Sequence, residues 1–317
     1  MSSDPAANMD NQFATDLTQT VHKAEYGSIS PTRPELSQAG RTVLITGGAS
    51  GIGLSTAENF IRAKAAAVVI VGRRASVLAE ARAALQKKAL QLGEDTVIVA
   101  QVCDVADRES VVALWDRLAE LGVVIDVLVL NAARVSESVP LLEVGVEELT
   151  AAFEANVLGP YHLAQMFYRQ PSSGPKSIVY LSTLAINTFY PSHATTATHT
   201  PAYGLGKNAG TLTFSLMAKD VSPNELQIVA FHPGSVFGKP WQDAGIPQDR
   251  LPFDDMSLPS AFAVWAASKE AKFAHGRFLW AAWDVDELAS GPLRERIESD
   301  DDFLRVGVSG LKGVKKA

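Results

Sequence analysis

Tyr203 and Lys207 stand four residues apart in Tyr-Gly-Leu-Gly-Lys, a spacing that puts both side chains on one face of a helix. A phenol titrates near pH 10 and needs help to exchange protons at neutral pH. An ammonium about 4 Å away, at an effective dielectric near 20, supplies on the order of 4 kcal/mol, or about three pKa units before desolvation. The pair therefore reads as an acid/base with its activator. Ser182 and Thr183 close an apolar run, and either hydroxyl could hydrogen-bond a reacting carbonyl oxygen or cap the strand end. Asn156 interrupts the apolar stretch Ala155-Asn156-Val157-Leu158, and a buried amide there requires partners. His193, His199 and His232 lack metal-ligand spacing, so no metal is expected.

A second constellation precedes these. Thr46-Gly-Gly-Ala-Ser-Gly-Ile-Gly53 joins the apolar run Thr42 to Ile45 to a helix-like segment beginning at Leu54. Gly47, Gly51 and Gly53 permit backbone angles closed to other residues, and with Ser50 and Ile52 they form a turn on which a pyrophosphate can meet free helix N–H groups. The spacing is GxxxGxG, not the commoner GxGxxG. Gly72 stands where an acid would hold the free ribose of NAD, and Arg73 and Arg74 follow it. NADP(H) is therefore expected over NAD(H), although Ser50 is not basic. Asp104, followed by Val105, could accept an adenine amino group or cap a helix. In Leu130-Asn131-Ala132-Ala133, small residues and an amide follow a strand, where the backbone must pass near a cofactor. His232-Pro233-Gly234-Ser235-Val236 turns the chain back toward the same edge.

The elements that must position these residues alternate. Strand-like runs cover 42–46, 67–72, 97–102, 126–130, 177–182, 227–231 and 277–280, and helix-like stretches cover 51–64, 75–92, 107–121, 146–169, 202–221 and 258–271. Near-continuous apolar runs suit strands covered on both faces, and the alternation predicts an α/β, Rossmann-type doubly wound parallel sheet in a single domain. Residues 1–40 read as an N-terminal extension draped over the domain, 41–290 as the nucleotide-binding catalytic domain and 291–317 as a tail. The irregular segment 237–258, with Phe237, Trp241, Ile246 and Phe253, reads as a substrate lid.

Composition sets the outer limits. The 317 residues are 47% hydrophobic and 20% charged, with room for one sizeable core. A net charge of -7, with only Lys312 to Lys316 locally basic, argues against a nucleic-acid surface. The single cysteine, Cys103, fits a reducing compartment, and neither a signal peptide nor a membrane-spanning run is evident, so a cytoplasmic location without membrane attachment is expected.

In combination, the Thr46–Gly53 turn, Asn131-Ala132-Ala133, Asn156, Ser182-Thr183, Tyr203-x-x-x-Lys207 and Pro233-Gly234 resemble the short-chain dehydrogenase/reductase family over about residues 41–290. Gly276-Arg-Phe278 and Trp283-Asp-Val-Asp-Glu-Leu288 are similar to a fungal branch often found in secondary-metabolite pathways. The resemblance implies that Tyr203 is the acid/base, that Lys207 binds the nicotinamide ribose and lowers the tyrosine pKa, and that the strand-end hydroxyl orients the carbonyl. It further implies that Asn156 holds a proton-relay water and that Val236 offers its backbone to the nicotinamide amide. Three departures stand out. Thr183, at the family's serine position, lies 20 residues before Tyr203, farther than is usual, which points to an insertion near 187–200 bordering the substrate pocket. Ala133 and Arg134 replace the end of the family's Asn-Ala-Gly turn, and Arg134 could face an anionic or carbonyl group of the substrate. Gly238 stands where a threonine is common.

The function implied is NADP-dependent hydride transfer between nicotinamide and a ketone or secondary alcohol, on a bulky apolar, natural-product-like small molecule. A cofactor-bound lyase, isomerase or cyclase is the alternative, with a non-catalytic cofactor-binding protein behind it. Helices around Asn156 and after Tyr203 resemble those that pair in family dimers, so a homodimer or homotetramer is possible.

Overall fold

The structure, a computed structural model, describes residues 17–136, 139–171, 174–187, 200–243 and 245–308. Seven strands make one sheet: β1 Thr42–Thr46, β2 Ala67–Gly72, β3 Val97–Val102, β4 Val127–Leu130, β5 Lys176–Leu181, β6 Leu226–His232 and β7 Phe278–Trp280. They lie in the order β3-β2-β1-β4-β5-β6-β7, and every pairing is parallel. All residues of β4, β5 and β6 are buried, as strands covered on both faces require. The strand order reverses between β1 and β4, and ligands of such sheets bind in the crevice beyond the carboxyl ends at that switch. The seven expected strands are thus all present, three with the expected bounds and four with ends shifted by one residue.

The helices are α1 Gly51–Arg62, α2 Ala75–Leu92, α3 Arg108–Glu120, α4 Val146–Phe153, α5 Gly159–Arg169, α6 Pro201–Met217, α7 Lys239–Asp243, α8 Ser257–Ala266, α9 Val285–Leu288 and α10 Gly291–Ser299. The expected helix 146–169 is not uniform. A π-turn, Glu154–Leu158, separates α4 from α5. Pro160 has no N–H to give to the carbonyl of Asn156 four residues earlier, so that carbonyl loses its α-helical donor. The segment 237–258 also carries more order than expected, since α7 lies within it and α8 starts at Ser257.

Both ends depart from the expected division. Ile29 and Leu36 are fully buried, and Arg33 forms a two-pronged pair with Glu270 at 3.0 and 3.1 Å, so the described part of the extension is built into the core. The segment beginning at 291 is not a free tail up to residue 308. Arg277, itself buried, donates to the carbonyls of Ile297, Asp300 and Phe303, and Ile297 and Phe303 pack into the core. Placing a guanidinium under a helix C-terminus satisfies several orphan carbonyls at once. No helix among the described residues is long and apolar enough to cross a membrane.

Candidate active site

At the switch point the glycine turn is shaped by contact and by backbone angle. Gly47 has φ +66° and Gly51 φ +51°, both in the left-handed region. A Cβ on Gly53 would stand 2.3 Å from the carbonyl oxygen of Gly47, so α1 packs directly on the turn. A Cβ on Gly51 would meet nothing within 4 Å, leaving an open cradle in front of the helix. Ser50 occupies the N-cap position but its side chain makes no capping hydrogen bond, and Ile52 packs half-buried against the core. The first N–H groups of α1 are therefore presented to that cradle, an arrangement that fits a pyrophosphate.

Asn131 fixes the turn from the neighbouring strand. Its amide donates to the carbonyls of Thr46 at 2.9 Å and Gly47 at 3.3 Å, while the Thr46 hydroxyl accepts the N–H groups of Asn131 and Ala132, both at 3.0 Å. With its amide so engaged, Asn131 shapes the cofactor edge through the backbone. Beyond β2, Arg73 is 74% exposed, with Nη1 3.9 Å from Asp104 Oδ2 at the end of β3, and Arg74 is exposed beside it. Asp104 is not the helix cap that its position allowed. Asp107 caps α3 by accepting from Glu109 N, whereas Asp104 Oδ1 closes a turn onto Ala106 N at 3.0 Å. A Cβ on Gly159 would fall 2.0 Å from the Val105 carbonyl oxygen, which ties the β3 exit to the start of α5.

Over the same edge, α6 brings Tyr203 and Lys207 to the end of β5. The two candidate hydroxyls there part ways. Thr183 lies close enough to the Tyr203 phenol to act on its pKa, and its own hydroxyl accepts from Ala185 N at 3.3 Å. Ser182, 2% exposed, packs against the middle of α6, with its hydroxyl 2.6 Å from that of Thr211. Lys207 is also 2% exposed, and its ammonium donates to the Leu181 carbonyl at 2.6 Å while lying 4.8 Å from the centre of the Tyr180 ring. The Tyr203 N–H donates to Ser136 Oγ at 3.0 Å, which caps the start of α6 from the β4 exit.

Burial works against the expected depression of the tyrosine pKa. It pushes Tyr203 up to about 12, against the opposing effect of Thr183. Burial also pulls Lys207 down to about 7, so near neutrality the lysine carries only part of a charge and directs it at Leu181 and the Tyr180 face. Desolvation is the only cause acting on Lys207 and the leading one on Tyr203, and no attraction between the two groups offsets it. The phenol is held protonated, the form that donates a hydrogen bond and a proton.

Asn156, fully buried in the π-turn, does not point at Tyr203. Its side chain clamps the β4 exit, with Oδ1 accepting from Arg134 N at 3.1 Å and Nδ2 donating to Arg134 O at 2.9 Å. Its freed carbonyl accepts from Tyr180 Oη at 3.0 Å. Tyr180 is thus the site residue that sequence reading missed. Two signals marked it: a tyrosine inside the otherwise aliphatic run Ile178 to Leu181, and a proline four residues after Asn156. Gly210 leaves room for it, since a Cβ there would stand 2.2 Å from Tyr180 Oη. Arg134, expected to face the substrate, instead makes a two-pronged pair with Glu148, at 2.5 and 3.2 Å.

After β6, burial lowers His232 to about 3, which keeps it neutral against Trp280. Gly234 has φ +88° beneath the Asp254 carboxylate, and Val236 forms an isolated parallel bridge with Asp254. In the lid, Phe253 packs against both Phe237 and Trp241, at centroid distances of 5.3 and 5.1 Å. Ile246 is half-buried, and Gly238 accepts from Trp241 N. Most of the insertion, 188–199 with His193 and His199, lies outside the described residues.

Comparison with known proteins agrees with this geometry. The family model described as short chain dehydrogenase matches residues 41–243. The short chain dehydrogenase/reductase AacuD of Aspergillus aculeatus is 37% identical over 92% of this chain and 96% of its own length, and nsrO of Aspergillus novofumigatus is 36% identical over the same shares. A Claviceps purpurea short chain dehydrogenase/reductase is 32% identical over 92% of this chain and 94% of its own. Among solved structures, L-sorbose reductase from Gluconobacter frateurii, complexed with NADPH and L-sorbose, superposes with a TM-score of 0.68 at 21% identity, covering 78% of this chain and 96% of that one. A putative gluconate dehydrogenase from Agrobacterium tumefaciens gives 0.68 at 20% identity, over 79% and 97%. The glycine cradle at the β1–β4 switch and the match across most of the chain lead to one assignment: the protein belongs to the short-chain dehydrogenase/reductase family, Rossmann-fold oxidoreductases that use a nicotinamide cofactor.

Proposed function

We propose that the protein is an NADPH-dependent ketone reductase. The reading is carried by one observation, the Tyr203–Thr183 hydroxyl pair standing beside buried Lys207 at the cofactor edge. A nicotinamide cofactor held here would supply the hydride for the carbonyl carbon. Thr183 holds the carbonyl oxygen and Tyr203 gives it a proton. A phenol kept neutral by burial suits reduction, where the tyrosine must act as an acid. Lys207 binds the nicotinamide ribose, and Val236 offers its backbone to the nicotinamide amide. Gly47, Ser50, Gly51, Ile52 and Gly53 cradle the pyrophosphate. Asp104 and Val105 border the adenine, and Asn131 and Asn156 hold the edge in shape from behind.

The exposure of Arg73 and Arg74 just beyond β2 supports a role for them in taking the 2′-phosphate of NADP. The double variant Arg73→Ala/Arg74→Ala is expected to weaken NADPH binding by about 10²-fold, the loss of two charge-assisted contacts, and to leave NADH binding within about twofold. Parallel titrations followed by nicotinamide fluorescence measure both. Equal losses for the two cofactors, or none, contradict the assignment.

The substrate is a bulky apolar or aromatic ketone of the polyketide or terpenoid kind, held under the Phe237, Trp241 and Phe253 cluster. In an NADPH-consumption screen, cyclic aromatic ketones are expected to exceed small sugars in kcat/KM by about 10²-fold or more. Comparable turnover of small polar sugars sinks the substrate reading.

A further inference from the structure

We propose that Lys23 is a positioning residue for the Pro233–Val236 turn, acting through Asp254, so that the N-terminal strap belongs to the working site. The inference rests on the reading above only in its consequence for the cofactor.

The strap is anchored to the rigid part of the fold on both sides of Lys23. On one side, His22 N donates to Ala282 O at 2.8 Å, Val21 bridges Trp283, and the N–H groups of Gln19 and Thr20 both reach the Glu287 carboxylate. On the other, Glu25 makes a two-pronged pair with Arg62 at the end of α1, at 2.5 and 2.9 Å, and Tyr26 Oη donates to Trp283 O at 3.0 Å. A segment held at both ends presents the residue between them with little freedom.

What it presents is a grip on the returning arm of the lid. Lys23 O accepts from Asp255 N at 2.7 Å, Lys23 Nζ donates to Pro252 O at 3.1 Å, and Glu25 N donates to Ser257 Oγ at 3.0 Å. Asp254 lies between those points. Its carboxylate accepts from Ser235 N at 2.7 Å, its own N–H donates to Ser235 O at 2.8 Å, and the same carboxylate sits where any side chain on Gly234 would fall. Burial pushes the Asp254 carboxyl up, while the Ser235 N–H and the Lys23 charge hold it down. Lys23 therefore stabilises the ionised carboxylate, the form that binds Ser235 N most strongly. The chain of contacts runs from the strap to the lid arm, then to the turn that carries Val236.

The test uses the full-length protein, with hydrogen exchange of the cofactor-free form and NADPH titration as separate readouts. Lys23→Ala is expected to raise amide exchange across 233–258 by about tenfold without changing exchange in the sheet, and Lys23→Arg to restore it. NADPH dissociation constant and KM are expected to rise by about fivefold to tenfold, with kcat within about twofold. Exchange at 233–258 unchanged in Lys23→Ala overturns the proposal. Wild-type protein that binds no nicotinamide cofactor overturns the reading of Val236 instead, and exchange still decides the role of Lys23.

Discussion

Tyr203→Phe is expected to lower kcat by about 10³-fold while leaving the NADPH dissociation constant within about twofold, the size of effect that follows from removing a positioned proton donor. The substitution deletes one oxygen and keeps the ring. Ser136 bonds the main-chain N–H of residue 203, so the start of α6 is unaffected, and Lys207 keeps its bond to the Leu181 carbonyl. Thr183 loses its hydroxyl neighbour but stays 8% exposed at the same strand end. A carbonyl could then still be held by Thr183 with no acid to protonate it. Stopped-flow fluorescence for binding and steady-state NADPH consumption for turnover separate the two quantities. Retained turnover would remove Tyr203 from the chemistry. Parallel loss of binding and turnover would make the tyrosine a structural element of the cofactor pocket.

How much of this was legible in the sequence depends on the kind of force involved. Buried strands leave runs such as Val68 to Val71 and Ile178 to Leu181, so the sheet could be read nearly whole. The glycine turn was legible because backbone angle and close approach both demand glycine at fixed spacing. The π-turn was not, since one shifted hydrogen bond leaves no mark on apolar periodicity, and with it the Tyr180–Asn156 bond stayed hidden. Asp104 and Asp107 offer the same capping chemistry three residues apart, and only the observed start of α3 chooses between them. The N-terminal strap escaped for a different reason. Most of its anchors are single polar bonds to partners more than 200 residues away, such as Gln19 to Glu287 and Glu25 to Ser257, and such contacts, like the nearer Glu25–Arg62 pair, impose no period on the sequence. The sign of the tyrosine shift also lay beyond the sequence, because spacing supplies the Coulomb attraction while burial is a property of the whole fold.

Lys207→Met is expected to abolish most turnover and yet to stabilise the fold at pH 7. An unfolded lysine titrates near 10.4, whereas Lys207 in the fold is pulled to about 7 by burial alone. A folded pKa below the unfolded one means that the ammonium opposes folding. The full cost is present below about pH 7, diminishes as the pH rises from about 7 toward 10.4, and is absent above that, because in this window the unfolded chain binds a proton that the native chain does not. At pH 7 the cost is on the order of 4 kcal/mol. Methionine fills a similar volume without charge, but it leaves the buried Leu181 carbonyl without its donor, a penalty of about 1–3 kcal/mol, and it gives up the contact with the Tyr180 face. With both losses counted, the net gain is at most about 2 kcal/mol at pH 7, a rise of a few degrees in Tm for a chain of this size. Near pH 10 the desolvation cost has almost gone while the lost hydrogen bond remains, so the order of stabilities inverts. Thermal unfolding of both proteins between pH 6 and 10 measures the crossing. A variant less stable at every pH would place the lysine among the stabilising contacts of the fold. The crossing, together with a loss of turnover of about 10²-fold or more, would mark an ammonium retained for chemistry at the expense of stability.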